Sequence, residues 1–471
     1  MDEPRDDVDT WLHERVTPLL PHPGAFERIR RRARRRKLAR AALAAAGAAV
    51  VVAAGITVPQ LVLHGRFNGA PTALSDTAPS VHSPSPSPAK PSTAGTAVRD
   101  SSSPTPRPTG AAVPPNFAPT SVTFVSTGTG WVIGQAGTPG YCGPPSAYIC
   151  TSMAVTNDGG ATWHGLPAPV SGAPDGGTGV GQVRSLDGVS GWAFGPQLYA
   201  THDGGHTWAK IATHGMRVTD LETVNGRAFA VWARCTGTGP DFAGNCTSFS
   251  LYSTPAGLDA WSPVPGATGL AASPAGTPGS AQLVLTSGQG YLLTPAGGLI
   301  SGPATGTAGW GPVTTSQGAA VALPCAPGNA ENSGHPLRAM LASTGSGLVL
   351  LCAGQESGSR QAKALYYSAD GGRTWSPAGL APARGIAMSL SGTPGGPVMV
   401  ATSGGIDVSA NAPGSGPLAW RTARGATAPG GYTYVGMTTS AQGVAVPANQ
   451  SLDAVWFTYD GGAQWQVSPV R

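Results

Sequence analysis

The chain is poor in charge. Asp, Glu, Lys and Arg make up 11% of its 471 residues, and they are unevenly placed. Residues 28–40 hold Arg28, Arg30, Arg31, Arg32, Arg34, Arg35, Arg36, Lys37 and Arg40 and contain no acid. From residue 116 onward 13 Lys and Arg stand against 14 Asp and Glu, a balance of −1. The formal +5 therefore comes from the N-terminal run. Nucleic-acid binding needs basic residues clustered on the folded domain, so no nucleic-acid partner is expected. Glutamate is scarcer still, with only Glu222, Glu331 and Glu356 in that stretch. No Gly-x-Ser-x-Gly, phosphate-binding loop or His-Glu-x-x-His occurs. The six cysteines form no Cys-x-x-Cys pair, which argues against zinc. The expectation is a chain that is not an enzyme, with no catalytic residue, no metal and no cofactor.

Gly (69) and Pro (45) are abundant, and 12 Trp argue against disorder through most of the chain. Residues 41–63 read AALAAAGAAVVVAAGITVPQLVL without a charge, and about 20 apolar residues span a bilayer core. Basic residues just before such a stretch stay cytoplasmic. This predicts a single-pass cell-membrane protein with its N-terminus inside and its bulk outside; a cleaved signal peptide is the rival reading. Residues 1–38 form a basic cytoplasmic tail, a candidate contact for a cytoplasmic partner and hence for a sensor role. Residues 39–63 form the signal-anchor helix. Residues 64–117 form a linker rich in Pro, Ser and Thr that cannot bury enough apolar surface to fold. In extended form its 70–117 portion would reach about 150 Å.

From residue 118 to 471 the sequence repeats. Thr156-Asn157-Asp158-Gly159-Gly160-Ala161-Thr162-Trp163 returns at Thr201–Trp208, at Ser368–Trp375 and at Thr458–Trp465, the last with Gln464 in place of Thr. The motif is a hairpin turn. Asp accepts backbone N–H groups ahead of it, and Gly supplies positive φ. The Trp enters the next strand and packs between sheets. With Trp261, Trp310 and Trp420 the series Trp163, Trp208, Trp261, Trp310, Trp375, Trp420 and Trp465 steps by 45 to 65 residues. Such spacing predicts an all-β, seven-bladed β-propeller, with six or eight blades open. The pieces Gly130–Gly134 (GWVIG) and Gly191–Gly195 (GWAFG) read as an apolar strand after a Gly turn.

The four motifs resemble the Asp-box (BNR) repeat of the sialidase and Vps10/Ycf48-like propeller superfamily. The resemblance implies that Asp158, Trp163, Asp203, Trp208, Asp370, Trp375, Asp460 and Trp465 are structural, on peripheral turns away from the axial ligand face. It also implies what a sialidase would need: an arginine triad, a Tyr–Glu pair and an acidic Asp. No Arg-Ile-Pro occurs, and the arginines are scattered, with Arg373 near a peripheral turn and Arg384 near a blade junction. Asp220 and Glu222 in VTDLETV could pair carboxylates, as glycoside hydrolysis requires, but read more simply as a solvated strand end.

Proximity suggests disulfides Cys142–Cys150, Cys235–Cys246 and Cys325–Cys352, in an oxidising compartment. His202, His206 and His214 lie close in sequence but read as exposed turn positions. Asn245 and Asn449 stand in glycosylation sequons. The loops CTGTGPDFAGNC and CAPGNAENSGHPLR are the expected contact loops, and SLSGTPGG carries no distinctive feature. The functional expectation is a non-catalytic surface protein that binds or scaffolds a protein or glycan at the propeller axis. The rivals are a sialidase-like glycan-active enzyme, the transmembrane sensor and an assembly factor of the Ycf48 type, which would need a basic patch that the −1 balance argues against.

Overall fold

The computed structural model describes residues 110–136, 151–171, 179–235, 246–272, 281–325 and 338–471. The expected tail, anchor helix and most of the linker lie outside them. So do Cys142, Cys150, Glu331, Asn245 and the middle of both expected contact loops. Among the described residues no helix is long and apolar enough to cross a membrane.

Seven antiparallel sheets follow one another along the chain, each with four strands in sequence order. They are blades I to VII of a β-propeller, which removes the six- and eight-blade alternatives. Blade III carries one addition, Leu270–Ala271, paired with its third strand. The first strands of the blades are Ala118–Phe124, Gln182–Ser185, Arg217–Val224, Gln282–Leu285, Arg338–Ser343, Ala387–Gly392 and Tyr432–Met437. Each Trp of the spaced series stands at the head of a fourth strand, from Trp163 before His164–Leu166 to Trp465 before Gln466–Pro469.

Second strands such as Gly191–Phe194, Val398–Thr402 and Gly443–Pro447 are buried along their whole length. Both of their faces meet a neighbouring blade, so they read as continuous apolar runs rather than alternating ones. Trp131 and Trp192 are buried, and a Cβ added at Gly191 would lie 2.4 Å from the Trp131 ring. The Gly-Trp pieces are therefore interlocks between successive blades. Burying roughly 200 Å² of indole stabilises by about 5 kcal/mol.

In the first Asp-box, Asp158 Oδ1 accepts Thr156 Oγ1 at 2.8 Å and Thr162 N at 2.9 Å, while Oδ2 accepts Thr162 Oγ1. The boxes at Asp203 and Asp370 repeat these bonds. In each box the second glycine has positive φ and presses on the preceding blade. A Cβ on Gly160 would meet Phe457 at 2.3 Å, and one on Gly372 would meet Leu299 at 2.4 Å. The box turn also bonds the turn between the first and second strands, as in Gly159 N to Gly128 O at 2.8 Å and Gly461 N to Ala441 O at 2.9 Å. Both kinds of turn therefore share one end of the propeller.

Among the described residues no strand is exchanged at the seam between blades VII and I. Side chains close it instead: Trp163 Nε1 donates to Ser468 Oγ at 3.1 Å, Tyr459 OH to Gly159 O at 2.9 Å, and Gln442 Nε2 to Thr127 O at 2.8 Å. Phe124 and Phe457 meet edge to face at 5.4 Å. Cys235–Cys246 joins the second and third strands of blade III, and Cys325–Cys352 ties the segment entering blade V to its second strand.

Candidate functional site in the axial cavity

The first strands converge around the axis, and polar side chains link them. Ser121 Oγ accepts Val183 N at 3.3 Å, Asp220 Oδ2 accepts Leu283 N at 2.7 Å, Gln282 Oε1 accepts Leu341 N at 2.8 Å, and Ser389 Oγ accepts Val435 N at 3.4 Å. Each bond crosses from one blade to the next. Each acceptor directly precedes a buried apolar residue: Val122, Leu221, Leu283 or Leu390. At three of these joints a neutral acceptor serves. In blade III the acceptor is a carboxyl.

Two residues further along, the side chains face an axial cavity of about 840 Å³. Arg184 and Glu222 line it from blades II and III, while Val284, Ala342, Ser391 and Gly436 line it from blades IV to VII. Charge is thus confined to one side. Turns between first and second strands, including Thr286–Gly288 and Gly345–Gly347, complete the wall. The cavity therefore opens at the end that bears the boxes. The third box borders it through Ala369 and Gly371, although the resemblance implies box turns remote from the axial face. The expected contact loops begin at the opposite end, where Cys235 closes the second strand of blade III. SLSGTPGG, unremarked as sequence, supplies Ser389, Ser391, Gly392 and Pro394 to the wall.

Arg184 Nε donates to Glu222 Oε1 at 3.0 Å and Nη1 to Val183 O at 2.9 Å. Its guanidinium lies 5.9 Å from the ring centres of both Phe194 and Tyr434. Burial works against its charge, but Glu222 foremost, with Tyr434 and Asp220, raises its pKa above the ordinary arginine value. Asp220 Oδ1 also accepts Leu221 N at 2.9 Å. Burial, then the neighbouring Glu222 charge, pushes the Asp220 carboxyl up to about 7, against the pull of the Leu283 N–H and Arg184. Burial likewise raises the Tyr434 hydroxyl. Asp220 and Glu222 are thus not a solvated strand end. They are half-buried and share a cavity with an arginine and a tyrosine. Sequence reasoning missed Arg184 and Tyr434, which stand 250 residues apart. The available signal was a buried valine next to each, Val183 before Arg184 and Val435 after Tyr434, on the first strands of blades II and VII.

The other candidates fall elsewhere. His202 Nε2 meets Asp259 Oδ2 at 2.8 Å across blades II and III. His206 and His214 are exposed, and among the described residues no cluster of three metal-ligating side chains exists. Arg373 Nη1 donates to Asp370 O at 2.9 Å, and Arg384 pairs with the buried Asp407 at 2.6 Å.

The family model for the BNR/Asp-box repeat matches residues 366–377. No curated protein sequence matches significantly. Among solved structures, the chain is similar to YCF48 from Cyanidioschyzon merolae, with 14% identity over 61% of this chain and 84% of that one, at a TM-score of 0.40. It is similar to the GH74 xyloglucanase from Xanthomonas campestris, with 16% identity over 74% and 60%, at 0.41. It is also similar to a PL25 ulvan lyase, with 10% identity over 76% and 83%, at 0.37. With its four boxes and seven blades, the chain is an Asp-box (BNR-repeat) β-propeller. At these scores the likenesses say nothing about its ligand. The expectation of a non-enzyme is nevertheless corrected. Solved structures similar to this chain include a glycoside hydrolase and a polysaccharide lyase, and the axial cavity holds two carboxyls. The absence of catalysis does not follow from the fold or from the sequence.

Proposed function

We propose that the axial cavity binds a hydroxyl-rich, saccharide-like ligand and is equipped for acid–base chemistry on it. The observation that carries this reading is the convergence of Arg184, Asp220, Glu222 and Tyr434, from three blades, on one cavity of about 840 Å³. That volume suits a small ligand. Carboxyl, amide and hydroxyl groups on its wall match sugar hydroxyls, and the Tyr434 ring offers an apolar face. A carboxyl near neutrality can give or take a proton at working pH. Glu222 beside it is an acceptor. The one guanidinium lining the described wall is already paired with Glu222, which supports a glycan-active reading without an arginine triad for a substrate carboxylate.

The test is calorimetric titration of the protein with neutral and acidic oligosaccharides, coupled to an assay for newly released reducing or unsaturated ends. Binding that is lost in Glu222→Gln and Asp220→Asn is the expected result. Unchanged binding in both variants would remove the site from the axis. We further propose that the propeller is presented outside the cell membrane, since nine basic residues precede the uncharged stretch 41–63. Protease digestion of intact cells should then release the propeller.

A further inference from the structure

We propose that the groove between blades VI and VII continues the axial cavity as a distal subsite, so that the propeller takes a linear oligosaccharide rather than a single sugar. This rests on the reading of the axial cavity as a saccharide site.

The two depressions are neighbours. Gly392 and Pro394 wall the axial cavity, while Gly395, Gly396 and Pro397, the next residues of the same turn, wall a groove of about 430 Å³. On blade VII, Met437 belongs to the first and Ser440 and Ala441 to the second. A chain leaving the axis across these two turns would enter the groove directly.

The groove has polar groups that the fold leaves open. In the other boxes both carboxylate oxygens are satisfied, Oδ2 by the threonine hydroxyl, as in Thr207 Oγ1 to Asp203 Oδ2 at 2.6 Å. In blade VII Gln464 replaces that threonine. Asp460 Oδ1 still accepts Thr458 Oγ1 and Gln464 N, both at 2.9 Å, but Oδ2 has no hydroxyl to cap it, and Asp460 lines the groove. Arg421 lines the same groove. Its charge helps draw the Asp460 carboxyl below the ordinary value, behind the larger effects of burial, which raises it, and of its hydrogen bonds. The two side chains form no ion pair. A carboxylate acceptor and a guanidinium donor therefore face one space without using each other, and a sugar hydroxyl can both donate to the first and accept from the second. Blade VI has no box here. Its loop is fixed by Asn411, whose Oδ1 accepts Ala419 N at 2.8 Å and whose Nδ2 donates to Pro417 O at 3.1 Å.

The experiment is calorimetry of the protein with cello-, xylo- and chito-oligosaccharide ladders from disaccharide to hexasaccharide. For the series that binds, the hexasaccharide is expected to bind about tenfold more tightly than the disaccharide, the worth of one net hydrogen bond to a charged group. Gln464→Thr restores the hydroxyl found in the other boxes and so keeps the fold. It should abolish that gain and leave disaccharide affinity unchanged, as should Arg421→Ala. Affinity independent of length overturns the distal subsite while leaving the axial site standing. So do variants that weaken both ligands alike or leave the gain intact. Failure of every ladder to bind overturns the axial reading, and the subsite with it.

Discussion

Asp220 Oδ2 accepts the backbone N–H of Leu283 at 2.7 Å across the joint between blades III and IV. The neighbouring joint does the same work with an amide, Gln282 Oε1 accepting Leu341 N at 2.8 Å. The joint therefore needs an acceptor, and nothing in its geometry needs an acid. Holding a carboxyl half-buried beside Glu222 disfavours the charged form. The charge option at this one position is what the neutral joints lack.

Asp220→Asn should therefore fold, keep the joint and change the pH profile. The folded carboxyl titrates near 7, above its ordinary 3.8. A raised acid contributes stability that is complete below about 3.8 and is lost as pH rises through about 7. Wild type should lose melting temperature relative to Asp220→Asn between pH 4 and pH 8, with the two nearly equal at the acid end. Parallel profiles would show that Asp220 ionises normally.

The contrast between box and cavity shows what the sequence makes legible. An Asp-box is written in eight consecutive residues, because Thr201, Asp203, Gly205 and Thr207 bond one another within a single turn. Trp spacing then counts the blades, since every blade needs one ring at the head of its fourth strand. The cavity is written nowhere locally. Arg184, Glu222 and Tyr434 meet because the first strands of three blades converge on one axis, Tyr434 from the joint position and the other two from the cavity-facing position beyond it. Irregular pairing at Pro119/Ser121, in blade III opposite Val231/Trp232, and at Tyr432/Tyr434 shifts the alternation that would reveal those positions. In isolation, VTDLETV looks like any exposed strand end.

Removing a box carboxylate should be felt as lost hydrogen bonds. Asp203 takes three from Thr201 and Thr207, so Asp203→Ala should cost about 2 kcal/mol by urea unfolding. Asp460→Ala should cost less, because Gln464 gives no hydroxyl to its Oδ2. The Thr207 bonds hold Asp203 down at about 2. A depressed acid contributes stability above 3.8 that is lost as pH falls through about 2. The penalty of Asp203→Ala should therefore shrink toward pH 2. Equal penalties for the two boxes would contradict the role given to the threonine hydroxyl.

Lys363 is 1% exposed, and its ammonium donates to Gln361 O, Arg384 O and Gly385 O at 2.9 to 3.1 Å. It also lies within electrostatic reach of Asp407, which is fully buried. Lys363→Met fills the volume but strands three carbonyls and leaves Asp407 with Arg384 alone. Breaking a buried charge arrangement in this way costs about 3–5 kcal/mol. A loss of less than about 1 kcal/mol of unfolding free energy in urea would mean that the ammonium is not what joins blades V and VI.

Glu222 and Arg184 act on Asp220 with opposite signs. The Glu222 charge raises the Asp220 pKa and the Arg184 charge lowers it. Glu222→Gln removes a like charge, so the Asp220 midpoint should fall toward the ordinary carboxyl value. Arg184→Met removes an opposite charge and also releases Glu222 from its 3.0 Å partner, so the midpoint should rise. Carbon-13 NMR of the aspartate carboxyls follows both shifts without a ligand and without assuming any reaction. If Asp220 does not move in either variant, burial alone sets its proton affinity, and the three side chains share a cavity without acting as one electrostatic unit. Movement in opposite directions would show that the pair across blades II and III tunes the acid on blade III, which a proton-transfer group in this cavity requires.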